Sequence, residues 1–245
     1  MSVVLHIYRV YTQDLSVETT KSFIKDTMPK HQSEFTLYPR KVATFLASIS
    51  LFFVFAHLIV NWFHSAIGND LTYYLQRFFD LDGERNAPTL FSISLFVINA
   101  ILFLMVWKAQ WVRNTPQRMW IILSGLFCFL ALDELSSIHE RLVGPLRSAL
   151  GASGFFFYAW IIPYGIAVLL LSIYVIPVIW RIDKKIRFWF ILSAVTFITG
   201  AIGIEMIEGW YLEKMNYVRD FLFYLLFTIE ETLEMVGLVM LVYAL

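Results

Sequence analysis

Long apolar runs separated by short polar connections fill most of the chain, and the runs are too long for the core helices of a soluble domain. Six of them predict membrane-spanning helices, at residues 42–64, 89–107, 119–139, 156–180, 188–209 and 221–245. Each can cross about 30 Å of hydrocarbon at a rise of about 1.5 Å per residue. Helices also satisfy their own backbone hydrogen bonds, which lipid cannot do. The expected fold is all-α, a polytopic bundle of six transmembrane helices over residues 42–245. Residues 1–41 form a polar N-terminal arm whose VVLHIYRVY start is apolar but too short to span.

The periodicity changes between the first two runs. Leu71, Tyr74, Leu75, Phe78 and Phe79 fall at i, i+3, i+4, i+7 and i+8, which predicts a short amphipathic helix capped by Asn69 or Asp70 and lying in the outer interface. The DLDGERNAP segment after it does not fit a calcium-binding EF-hand loop. That pattern needs an acid where Phe78 stands and a glutamate where Thr89 stands. A turn leading into a proline-started helix fits better.

Cations set the expected orientation. The arm carries Lys21, Lys25, Lys30, Arg40 and Lys41. The second–third connection carries Lys108, Arg113 and Arg118, and the fourth–fifth carries Arg181, Lys184, Lys185 and Arg187. The positive-inside rule then puts both termini in the cytoplasm of a multi-pass protein of the cell membrane. The tryptophans (Trp62, Trp107, Trp111, Trp120, Trp160, Trp180, Trp189 and Trp210) fall near the predicted span ends, as an aromatic belt requires.

Composition agrees. The chain of 245 residues is 59% hydrophobic and only 16% charged, against roughly half and a quarter in soluble domains. Its formal net charge is zero, so nucleic acid is not an expected partner. The lone Cys128 excludes an intrachain disulfide and cysteine-based zinc motifs. The first forty residues show no long apolar core, so a cleavable signal peptide is not expected.

The chemistry lies in ionisable groups inside the apolar runs. Glu230, Glu231 and Glu234 sit in the last run, YLLFTIEETLEMVG, with eleven residues after Glu234. Those residues cover about 16 Å, so Glu234 falls near the bilayer midplane. A carboxylate at that depth costs on the order of 3 kcal/mol unless it is paired, protonated or metallated. Counting from the cytoplasmic edges brings His57, Asp133, Glu134, Glu205 and these three glutamates to one level, in the outer half of the bilayer. Glu208, His139, Glu140 and His64 lie slightly further out. Read as straight helices, the first span carries His57, Asn61 and His64 on one face. The third puts Asp133, Ser136, Ser137 and Glu140 on one stripe, with Glu134 and His139 turned away. Gly200, Ala201 and Gly203 offer the fifth span a small-residue surface for close helix approach.

Three functions fit this set. The first is a divalent metal site of iron, manganese or zinc. Its expected ligands come from Glu230, Glu231, Glu234, Glu205, Glu208, His139 and Glu134, with Asp133, His57, Asn61, His64, Glu140 and Ser137 supporting them from behind. With an open coordination position, such a site can support hydrolysis or oxidation of a lipid-phase substrate, as in a membrane metalloenzyme. The Glu-x-x-His pairs of ferritin-like di-iron bundles do not occur here. The second function is a proton- or cation-coupled transporter. The third is a structural or assembly subunit of a larger membrane complex. The lipid bilayer is the expected partner, and membrane-protein partners or a homo-oligomer are left open.

Overall fold

A computed structural model of the chain describes residues 38–112, 114–115 and 117–245. Most of the predicted arm, including its apolar start, and Arg113 of the second–third connection lie outside these residues. The described residues fold as helices: α1 (Pro39–Ile67), α2 (Asp70–Phe79), α3 (Ala87–Val112), α4 (Arg118–Ser136), α5 (Ile138–Leu150), α6 (Ile161–Ile179), α7 (Lys184–Ile198), α8 (Glu205–Lys214) and α9 (Phe221–Ala244). A π-helical turn, Thr199–Ile204, joins α7 to α8, and no strand occurs among the described residues. Five helical stretches are long and apolar enough to cross a membrane: α1, α3, α4, α6 and the continuous α7–α8. The outward faces are also apolar. Phe45, Phe52, Phe55, Leu58 and Trp62 of α1 and Leu169, Leu170 and Ile173 of α6 are all exposed, a surface suited to lipid.

The last predicted span is the 24-residue α9, and it is the axis of the bundle. It packs on α1, α3, α7, the π turn and α8, while α3 and α4 form a second tight pair. α6 stands apart, touching the bundle mainly through α4. Buried polar groups bind the α9 backbone: the Asn99 amide donates to the Leu238 carbonyl (3.1 Å) and the Ser193 hydroxyl to the Gly237 carbonyl (2.7 Å). Such interhelical bonds hold helices together where there is no hydrophobic drive between them. Of Gly200 and Gly203, Gly200 makes the close approach expected. A Cβ there would stand 2.8 Å from the Glu230 carbonyl oxygen, whereas one at Gly203 would meet only Thr199 Cγ2 at 3.8 Å.

The short helix after α1 forms as its pattern requires, and Asn69 is its cap. Asn69 Oδ1 accepts from the Thr72 amide (2.9 Å) while Thr72 Oγ1 accepts from the Asn69 amide (3.1 Å). Asn69→Ala is expected to cost about 1 kcal/mol. Faster amide exchange confined to α2 is the measurement that checks it.

The third predicted span is shorter than expected. Ser137 adopts a left-handed conformation (φ 51°), ends α4 and starts α5, a separate helix. The straight-helix facing assigned to 133–140 is therefore corrected. The turn at Ser137 brings the backbone amide of His139 to Asp133 Oδ1 at 2.9 Å and its Nδ1 within 3.4 Å of Asp133 Oδ2.

Candidate metal and substrate chamber

A cavity of about 930 Å³ runs between α3, α4, α6, α7, α8 and α9, and most of the polar residues singled out in the sequence open onto one end of it. Asp133, Glu134, His139, Glu140, Glu205, Glu208, Glu230, Glu231 and Glu234 all line it. Four of the expected supporting residues do not: Ser137, which ends α4, and His57, Asn61 and His64. His57 is buried against α9, with its ring centroid 5.4 Å from that of Phe227. It accepts the Leu81 amide at Nδ1 (3.2 Å) and lies 3.4 Å from Asp80. Asn61 donates to the His57 carbonyl and accepts from Gln76 (2.7 Å). His64 meets Thr72 Oγ1 at 3.1 Å. These three fasten α1 to α2 and the loop after it.

That loop delivers a residue the spacing argument passed over. Asn86 donates to the carbonyls of Asp80 (2.6 Å) and Arg77 (3.3 Å) and accepts the Thr89 amide (3.1 Å). Thr89 donates to the Gly83 carbonyl (2.8 Å). Gly83 is the residue that fits, since a Cβ there would stand 2.7 Å from Asn86 Nδ2. The knitted turn projects Asp82 and Glu84 into the acidic end of the cavity. Glu84, His139 and Glu140 each offer a ligating atom, and these atoms all lie within 4.8 Å of one another. Glu84 lies near the Ser137 side chain, and its Oε2 is buried with no partner.

An aromatic segment supplies the donors. Trp160 Nε1 donates to Glu205 Oε1 (2.8 Å), the Tyr158 hydroxyl to Glu208 Oε1 (3.2 Å) and the Tyr164 hydroxyl to Asp133 Oδ2 (3.1 Å). The Trp160 ring also lies 5.2 Å from the His139 ring. Glu208 is only 4% exposed, yet its Oε2 has no hydrogen-bond partner. Its polar neighbours are Glu230, Tyr158 and Arg219, whereas His139 has Glu134, Glu205 and Glu234 near it. Arg219 is committed to Asp82 at 2.8 Å. In the loop, burial pushes the Asp82 carboxyl up to about 7, and the Arg219 charge offsets only part of that. Burial likewise raises Glu84 and Asp80, the latter pulled back in part by His57.

Imidazole ligands of metals usually give their second nitrogen to a carboxylate, which fixes the ring and raises its basicity. Asp133 occupies that position on His139 Nδ1, leaving Nε2 for an ion. Asp133→Asn keeps the shape but removes the charge behind the ring. For a metal held at His139, the substitution would weaken affinity by about 10–100-fold, measured by competition with a chelator of known affinity. Sequence reasoning missed Glu84, Asp82, Arg219 and the Tyr158–Tyr164 donors. The clue available was an alternation of acids, Asp80, Asp82 and Glu84, at the edge of a span.

The chain belongs to the family described as Domain of unknown function (DUF8692), whose model matches residues 48–245. No curated protein and no solved structure matches the chain.

Proposed function

We propose that this family member is an integral membrane metalloprotein that holds a divalent cation at the acidic end of its cavity and acts there on a lipid-phase substrate. Glu84, His139 and Glu140 are its first ligands. Glu134, Glu205 and Glu234, which surround His139, complete the ligand set or balance its charge, and Glu208, Glu230 and Glu231 line the adjoining wall. Iron, manganese and zinc all suit this oxygen-rich set with one imidazole. A bound ion would act as a Lewis acid through an open coordination position. Asp133 orients His139, and the Tyr158–Tyr164 segment holds the carboxylates by hydrogen bonds. In the same reading α9 is a sixth crossing, its 24 residues reaching about 36 Å. Both termini are cytoplasmic in the cell membrane, and α2 rests in the outer interface on its exposed Leu71, Tyr74 and Phe78.

The observation that carries this reading is the Glu84–His139–Glu140 group with Asp133 behind the imidazole. Carboxylates gathered in a low-dielectric site need a cation or protons to coexist. A purely structural cluster would match each buried oxygen with a donor, and Glu84 Oε2 and Glu208 Oε2 lack one. A transport route would need polar groups toward the far end of the cavity. There the lining is Phe103, Leu123, Val175, Ile179, Phe190 and Leu241.

The test is the metal content of detergent-purified protein by mass spectrometry, beside Glu84→Gln/Glu140→Gln. Near-stoichiometric iron, manganese or zinc that is lost in the variant supports the reading. A parent protein without metal rules it out.

A further inference from the structure

The cavity continues well past the carboxylates. From Glu205 to Phe190, both in its lining, the wall descends about 22 Å at helical rise. One leaflet's hydrocarbon is roughly 15 Å deep. This lower bore presents no free polar group from its two hydroxyls: Ser172 donates to the Val168 carbonyl (2.7 Å) and Ser193 to that of Gly237 (2.7 Å). Water there would have few partners, and apolar cavities of this kind take apolar ligands. One side of the bore is the stripe Val168, Leu171, Val175 and Ile179 on α6, past Tyr164 at the polar end. Of the stretches long enough to span, α6 packs least on its neighbours, which favours entry of a lipid-phase molecule from its side.

The head end has the opposite character. Ten carboxyl groups line it against two cationic or basic groups, Arg219 and His139. Arg219 is spent on Asp82 and His139 on Asp133. In the same acidic lining stands Glu208, 4% exposed, with Oε2 lacking a donor and Glu230, Tyr158 and Arg219 as its neighbours. Even with a divalent cation bound, ten carboxyl groups outnumber the positive charges, so a phosphate or carboxylate head would meet repulsion and a neutral head would leave the excess acid unmatched. An ammonium brings both the charge and the missing donor.

We propose that the cavity binds a single-chain amphiphile with a cationic amine head, its chain in the apolar bore and its ammonium donating to Glu208 Oε2. This rests on the chamber described under Proposed function and names the substrate class that the chamber takes. The volume of about 930 Å³ lies within the roughly 300–1,000 Å³ of small-molecule sites, which suits one chain with its head.

The experiment uses the full chain, metal-loaded as purified and placed in nanodiscs, with hexadecylamine, hexadecanoate and hexadecanol as probes. Binding is read by native mass spectrometry and metal content by elemental analysis of the same samples. Hexadecylamine is expected to saturate at one equivalent and to bind at least about tenfold tighter than either other probe. Glu208→Gln should erase that preference. Ala194→Trp and Leu171→Trp fill the bore from α7 and α6, and each should abolish chain binding while the metal stays. Equal binding of the three probes, or hexadecylamine binding unchanged in both tryptophan variants, overturns the proposal. Retained metal with no amine binding sinks this inference alone. Saturable amine binding without metal sinks the metal reading alone.

Discussion

His139→Ala is expected to leave the purified protein with less than about a tenth of the parent's metal. Each lost ligand of a site this small is worth more than the 10–100-fold that a supporting residue contributes. The imidazole is the one nitrogen ligand in the Glu84–His139–Glu140 group. It is also the group on which the surrounding carboxylates converge, with Asp133 at Nδ1 and Glu134, Glu205 and Glu234 nearby. The fold should survive, because His139 sits on α5, which buries no residue fully. His57→Ala is the contrasting case. Its ring ties α1 to the Asp80–Leu81 turn and faces Phe227. It should lower stability and alter metal content far less than His139→Ala. A similar loss of metal from both variants would contradict the separation of roles.

Gly200→Leu is expected to unfold the helical bundle or lower its stability by about 1–3 kcal/mol or more. The π turn approaches α9 so closely that an added Cβ would meet the Glu230 carbonyl oxygen at 2.8 Å, Leu233 Cβ at 3.1 Å and Glu234 Cγ at 3.2 Å. The first of these is backbone and cannot swing aside. Pushing α9 away would also displace Glu230 and Glu234 from the chamber. Gly203→Ala, three residues on, would meet only Thr199 Cγ2 at 3.8 Å and should be tolerated. Thermal unfolding in detergent compares the pair. Equal stability of the two variants would mean that the close packing of the π turn on α9 does not bear on the fold.

Helix positions were legible because a bilayer-length apolar run has few ways to satisfy its backbone. Acids placed at matched heights on the third, fifth and sixth runs line one chamber, whereas His57 of the first run does not. Facing was harder to read, because it depends on the helix staying regular. Ser137 in the left-handed region turns the chain between Asp133 and His139, and no periodicity in ALDELSSIHERL marks it. By depth, His57 and His64 of α1 read as supports behind the site. His57 and His64 are spent on holding α2 and its following loop, which only the packing reveals. Glu84 is hidden in the sequence because its segment fits no calcium loop and reads as a turn. The knitting by Asn86 and Thr89 turns that same segment into a wall of the site.

The most direct measurement is X-ray absorption at the edge of whichever divalent metal copurifies with the parent protein. The account predicts a first shell of nitrogen and oxygen at about 2.0–2.2 Å, with the outer scattering of a single imidazole, and loss of that imidazole signal in His139→Ala. A shell with no imidazole, or one unchanged when His139 is replaced, would contradict it.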